Sequence, residues 1–127
     1  VAIPWFDTII PAVAITGTTE FLSMPLGART LLYTTASASF QILGLGALGG
    51  NVDGMVVVIQ SVVNSGASVN HVFMHESASA SPVNRFRNHN GANITSCLNV
   101  SGGGHGIGGA TYFYLGSIQR WIMLSHT

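Results

Sequence analysis

An all-β fold is what this 127-residue sequence predicts, specifically a single antiparallel β-sandwich of jelly-roll-like kind with an extended N-terminal arm. Three observations carry that expectation. Glycine occurs 16 times, and Ser, Thr, Val and Asn punctuate the rest, so no segment holds a 3.6-residue apolar period over three turns. Short alternating segments recur instead, bounded by Gly, Asn and Ser clusters. Only 6% of residues are charged, against roughly 25% in an ordinary soluble domain, and the formal net charge is zero. Such a chain has little charge to keep copies apart, which points to a surface covered by copies of itself or by a partner.

Taken in order, the first 15 residues form the arm and residues 16–127 the sandwich. Pro4 and Pro11 bracket an apolar stretch that favours extended backbone, and Trp5, Phe6, Ile9 and Ile10 are its candidate partner-binding residues. "FLSMP" (21–25) alternates, and "ARTLLYTT" (28–35) follows a Pro-Leu-Gly turn. "SFQILGL" (39–45) runs into a glycine-rich connection at 46–54. "MVVVIQSVV" (55–63) is the strongest strand, and its β-branched run predicts burial on both faces. After a turn at 64–68, "VNHVFMHE" (69–76) places Val69, His71, Phe73 and His75 on one face. A loop at 77–84, a strand at 93–100 and a flexible glycine loop at 101–109 precede the closing pair "ATYFYL" and "QRWIML". In that pair Phe113 opposes Tyr112 and Tyr114 across the sheet, and Trp121 opposes Arg120 and Ile122. Roughly seven to nine short strands at this spacing are the pattern of a sandwich, jelly roll or small barrel.

Candidate chemistry is sparse. His71 and His75 have the i, i+4 spacing that shares a metal on a helix, but on a strand they stand about 13 Å apart, beyond the reach of one ion. Glu76 follows the second His, so HExxH is absent, and the histidines read as polar residues on a half-exposed sheet face. No serine sits in G-x-S-x-G, and Cys97 reads as a small buried hydrophobe. The four acids, Asp7, Glu20, Asp53 and Glu76, are scattered. No catalytic residue, metal or cofactor is expected, and the chain reads as a non-enzyme. The absence of any basic field argues against nucleic acid, and no apolar run is long enough for a membrane helix.

From Asp53 onward the order of features becomes more specific. "DGMVVVIQSV", a turn, "VNHVFMHE", a small-residue loop, "NRFRNHNGANI", a glycine-rich gap and "ATYFYLGSIQRWIMLS" follow one another. This order resembles a module of bacteriophage tail fibres, tailspikes and other virion appendages. The resemblance covers about residues 40 to 127 and rests on Asn84, Arg85 and Phe86 with the closing Tyr114, Arg120 and Trp121. Two departures stand out: Leu115 where an Asp often follows the Tyr, and Arg87 with His89 in place of a proline-containing turn. The resemblance implies an all-β, usually trimeric virion component with a structural or adhesive role and no cofactor. It makes the six residues above the candidates for closing the fold and building a subunit interface.

Within that class, the short chain and its arm point to a capsid decoration (cement) protein. Its partners would be two further copies of itself and the major capsid protein, on the outer surface of a phage head. The alternative is the receptor-binding tip of a tail fibre, stacking Trp or Tyr on a cell-surface glycan.

Overall fold

The computed structural model describes residues 5–15, 17–36, 39–63, 69–98 and 106–126. The strands within them are Thr8–Ala14 (β1), Gly17–Met24 (β2), Arg29–Ala36 (β3), Phe40–Ala47 (β4), Val56–Val63 (β5), Val69–Phe73 (β6), Phe86–Arg87 (β7), Ile94–Leu98 (β8), Gly106–Leu115 (β9) and Arg120–His126 (β10). They form a six-stranded sheet in the order β1-β3-β5-β9-β10-β7 and a four-stranded sheet in the order β2-β4-β6-β8. The turn expected at 64–68, His105 and the Cys97 side chain lie outside the described residues.

The fold is all-β with two sheets, but the strand pairing corrects the antiparallel, jelly-roll-like expectation. Strands β1, β3 and β5 run parallel in one sheet, and β2, β4 and β6 run parallel in the other. Among the described residues the antiparallel strand pairs are β5–β9, β9–β10 and β6–β8, with one isolated antiparallel bridge between Gly44 and Arg85. Each of the first six strands therefore crosses to the opposite sheet instead of folding back on its predecessor. Consecutive strands with an apolar face can bury it in two ways: as a hairpin in one sheet, or as an arch across the core. The arch is realised here because both strands of each pair turn apolar residues to the same interior. Ile15, at the corner after β1, is buried there, and so is Phe21 of β2.

The expected arm is, from Thr8 onward, an edge strand paired with β3. It is extended, as Pro11 requires, and the register slips between Ile10 and Val13, around the residue that lacks an N–H. Two further boundaries moved. Strand β4 continues to Ala47, and β9 begins at Gly106, inside the glycine string whose composition predicts a loop. Gly109 is tolerated in that strand because a Cβ there would run into the Ile59 carbonyl, so only glycine lets β9 lie this close to β5.

The core lies between the sheets and draws Leu32, Ile42, Leu45, Val57, Ile59, Phe73, Phe86, Tyr112 and Trp121 into one cluster. Along β5, Val57 and Ile59 are fully buried while Val56 and Val58 are only partly covered. Its expected burial on both faces thus holds on one face within a single chain.

Candidate functional site

The residues singled out in "NRF" and "ATYFYLGSIQRW" meet along one side of the sandwich, where a short segment joins the two sheets. A single turn of 3-10 helix at Pro82–Asn84 delivers the chain into β7. Phe86 then pairs with Trp121 of β10, and the Trp121 N–H donates to the Arg85 carbonyl at 3.0 Å. On the opposite side, Arg85 bridges Gly44 of β4 and Phe86 bridges His75. The segment is a seam with one foot in each sheet. Gly44 permits this approach, since a Cβ would stand 2.5 Å from the Asn84 carbonyl oxygen.

Side chains fasten the seam. Asn84, nearly buried, donates through Nδ2 to Glu20 Oε2 at 2.9 Å and accepts on Oδ1 from Asn51 Nδ2 at 3.1 Å. Glu20 Oε2 also accepts from the Ser81 N–H, and Asn51 Nδ2 reaches the Leu45 and Val83 carbonyls. The Tyr114 hydroxyl donates to the Val83 carbonyl at 2.8 Å, and Arg85 Nε donates to the Ala80 carbonyl at 3.1 Å. Trp121, fully buried, crosses the core and donates Nε1–H to the Leu45 carbonyl at 2.7 Å. Arg120 holds the Glu76 carboxylate through Nε at 2.7 Å and the Pro82 carbonyl through Nη1 at 2.8 Å. Glu76 also receives Arg87 Nε at 2.9 Å.

These bonds fix the electrostatics of the seam. Burial pushes the Glu76 carboxyl upward, but the hydrogen bonds and charges of Arg120 and Arg87 outweigh it and hold the group below the usual carboxylate range. Its contribution to stability is therefore present above that range and lost as pH falls through the lowered value. Replacing Glu76 by Gln should cost about 1–2 kcal/mol at pH 7, after allowing for partial solvent screening of both pairs. Urea denaturation at pH 7 and pH 3 checks this, because the difference from the native chain should shrink at the lower pH.

Four contributors escaped the sequence reading: Glu20, Asn51, Glu76 and Asn88. Asn88 is buried, donates Nδ2 to the Phe73 carbonyl at 2.9 Å and accepts from the Tyr112 hydroxyl at 2.7 Å. Burial raises the Tyr112 phenol far above its ordinary value, which keeps it a neutral donor. The available sign was scarcity: two of the chain's four acids, Glu20 and Glu76, are spent on this seam. The closing hairpin has the expected alternation, with Tyr112, Tyr114, Trp121 and Met123 inside and Phe113 and Ile122 outside.

His75 is half-buried, as expected of a half-exposed face, but His71 is not. His71 is fully buried, with its ring centroid 4.4 Å from that of Phe40 and 4.2 Å from that of Phe73. Its Nε2 lies 3.5 Å from Ser61 Oγ, which shares a 2.7 Å hydrogen bond with Thr34 Oγ1, and its Nδ1 has no partner. His75 Nδ1 accepts the Asn88 N–H, and the exposed His89 and His126 rings lie 5.7 Å apart. Among the described residues no group of three or more His, Cys, Asp or Glu is placed to hold a metal ion, and no helix is long and apolar enough to cross a membrane.

The candidate partner-binding residues separate. Trp5 and Ile9 are 52% and 59% exposed, Trp5 packs edge-on against Phe6, and the Arg29 guanidinium lies 5.5 Å from the Trp5 ring centroid. Ile10 turns inward and packs against the core instead, because strand alternation puts it on the opposite face from Ile9. A shallow groove of about 380 Å³ lies between Leu26–Ala28 and Val52–Met55. No protein-family model, curated protein or solved structure matches the chain.

Proposed function

We propose that the chain is a structural component of a bacteriophage virion, a homotrimeric decoration protein seated on the major capsid protein at the outer surface of the head. In this reading it ties neighbouring capsomers together and uses no cofactor and no catalytic residue. The observation that supports it is the seam: Asn84, Arg85, Phe86, Tyr114, Arg120 and Trp121 fasten the segment that lies between the two sheets, and Asn84 and Trp121 bond directly to Glu20 and Leu45 of the four-stranded sheet. Such an arrangement suits a module that must stay rigid under load. Trp5 and Ile9, exposed beside the edge of the six-stranded sheet, supply the apolar contact to the capsid protein. A clamp laid across capsomer boundaries stabilises the shell through the area it buries on both sides of each boundary.

The test is occupancy on purified heads of the virus that encodes the chain, measured by co-sedimentation. The native protein should saturate its sites, and a Trp5→Ser, Ile9→Ser double variant should bind at least tenfold more weakly. Unchanged binding of the double variant would remove this edge from the capsid contact. The tail-fibre reading stays second because the sequence likeness is to fibre and tailspike modules, and because Trp5 and Tyr33 are exposed aromatics on which a glycan can stack. Adsorption of the native protein to host cells, with none to heads, would select it.

A further inference from the structure

We infer that His89 and His126 form a two-imidazole site for a zinc-type divalent ion, which staples the turn after β7 to the end of β10. The ion is structural and takes part in no reaction. The inference goes beyond the capsid reading and does not rest on it.

Two local irregularities bring these residues together. If the alternation of β10 ran unbroken, His126 would point outward with Ile122 and Leu124, away from Trp121 and Met123. The register slips between Met123 and Ser125, and the bulge pairs His126 with Ala110, a buried residue of the core face. His126 is thereby aimed to the side of the sheet that carries Tyr112, yet at the strand's end it stays exposed. His89 reaches that side by another route. It opens a single 3-10 turn, His89–Gly91, in which Asn90 (φ 59°) and Gly91 (φ 63°) both take left-handed backbone. Asn88, directly before it, is buried and bonded to the Phe73 carbonyl and the Tyr112 hydroxyl, so the turn is anchored to the same core face.

The spacing of the rings fits one shared ion. A zinc–nitrogen bond of about 2.05 Å and an imidazole radius of about 1.15 Å put each ring centroid about 3.2 Å from the metal. At a tetrahedral angle the two centroids then stand about 5.2 Å apart, and here they are 5.7 Å apart. Exposed side chains close that difference by small rotations. The 56° between the ring planes is no obstacle, because each ring turns freely about its own bond to the metal. Neither ring has a hydrogen-bond partner among the described residues, so a nitrogen lone pair of each is available. His75 is not a third ligand. A Cβ on Gly91 would stand 3.8 Å from its Nε2, but its Nδ1 accepts the Asn88 N–H, which leaves the proton of the neutral ring on Nε2. Water completes the coordination. Imidazole nitrogens with no carboxylate beside them select zinc, copper or nickel over calcium or magnesium.

The experiment titrates the folded native chain with zinc chloride alone by calorimetry and follows the imidazole signals by nuclear magnetic resonance. One ion per chain should bind, with the His89 and His126 ring signals shifting together while those of His71 and His75 stay in place. His89→Gln and His126→Gln should each remain folded by circular dichroism, since both side chains are exposed. Each should bind zinc at least about tenfold more weakly than the native chain. If one variant loses its fold, the other and the ring signals of the native chain decide. No binding at about 1 mM zinc, binding that survives both substitutions, dependence on only one of the two residues, or one ion per two chains would overturn the assignment. Failure of the capsid reading leaves this result untouched, because neither heads nor the number of copies enters it.

Discussion

Replacing Trp121 with alanine is expected to abolish folding at ordinary temperature. The indole is fully buried, forms an edge-to-face pair with Tyr114 at 5.0 Å, and binds the Leu45 carbonyl of the opposite sheet. Removing a buried aromatic of this size costs about 3–5 kcal/mol, and the stranded carbonyl adds about 1–3 kcal/mol. A domain of this kind holds a total of roughly 5–15 kcal/mol, so the combined loss is comparable with the whole. Trp121→Phe separates the two contributions: it keeps most of the packing and should lose about 1–3 kcal/mol, chiefly the hydrogen bond. Urea unfolding followed by circular dichroism reads both. A Trp121→Ala chain less than about 1 kcal/mol weaker than the native one would show that the sheets are held together by something other than the seam.

The second large effect is acid lability originating at His71. Burial between Phe40 and Phe73 lowers its pKa from 6.5 to about 3, with no charged group in its described contacts to offset the loss of water. Between those values the unfolded chain takes up a proton that the folded chain refuses. Unfolding therefore consumes protons, and stability rises with pH across the window. The contribution is complete above about pH 6.5 and declines below it by about 1.4 kcal/mol per pH unit, levelling off near pH 3. At pH 5 the native chain should be about 2 kcal/mol less stable than at pH 7 from this group alone. His71→Met, which keeps an apolar side chain of similar reach and cannot titrate, should flatten the profile between pH 6.5 and 5 whatever its stability at pH 7. An unchanged slope in that variant would assign the acid lability elsewhere; Glu76 acts at lower pH, because its carboxyl already titrates below the usual range.

How much of this could be read in advance is seen residue by residue. Alternation identified Tyr112, Tyr114 and Trp121 as one face of a closing hairpin, because a strand's period of two turns sequence directly into sidedness. The order of "NRF" and "RW" marked the residues that meet in the seam, although not the bonds they make. Sidedness does not name a neighbour, however. Val58 reads the same whether β3 lies beside it parallel or antiparallel, so the arching of the first six strands was invisible. The polar fastenings were equally hidden. Glu20 and Asn84 are 64 positions apart, and Trp121 and Leu45 are 76 apart, with nothing local to pair them. His71 lies deeper than the sequence predicts, because a period-two pattern puts it on the same face as Phe73 without saying how deep that face lies.

The arching strands also carry a consequence for the nascent chain. On a ribosome, β1 to β6 emerge first, and β5 then presents an open ladder edge until β9 arrives from residues 106–115 to fill it. The seam waits longer still, for Trp121 and the strand that carries it. Through that interval a growing polypeptide of low charge displays unpaired strand edges with no local hairpin to shield them, a state prone to intermolecular pairing. Its yield in a cell should thus depend on the pace of translation over the stretch that encodes residues 106–126, and on holdases that keep neighbouring polysomal chains apart.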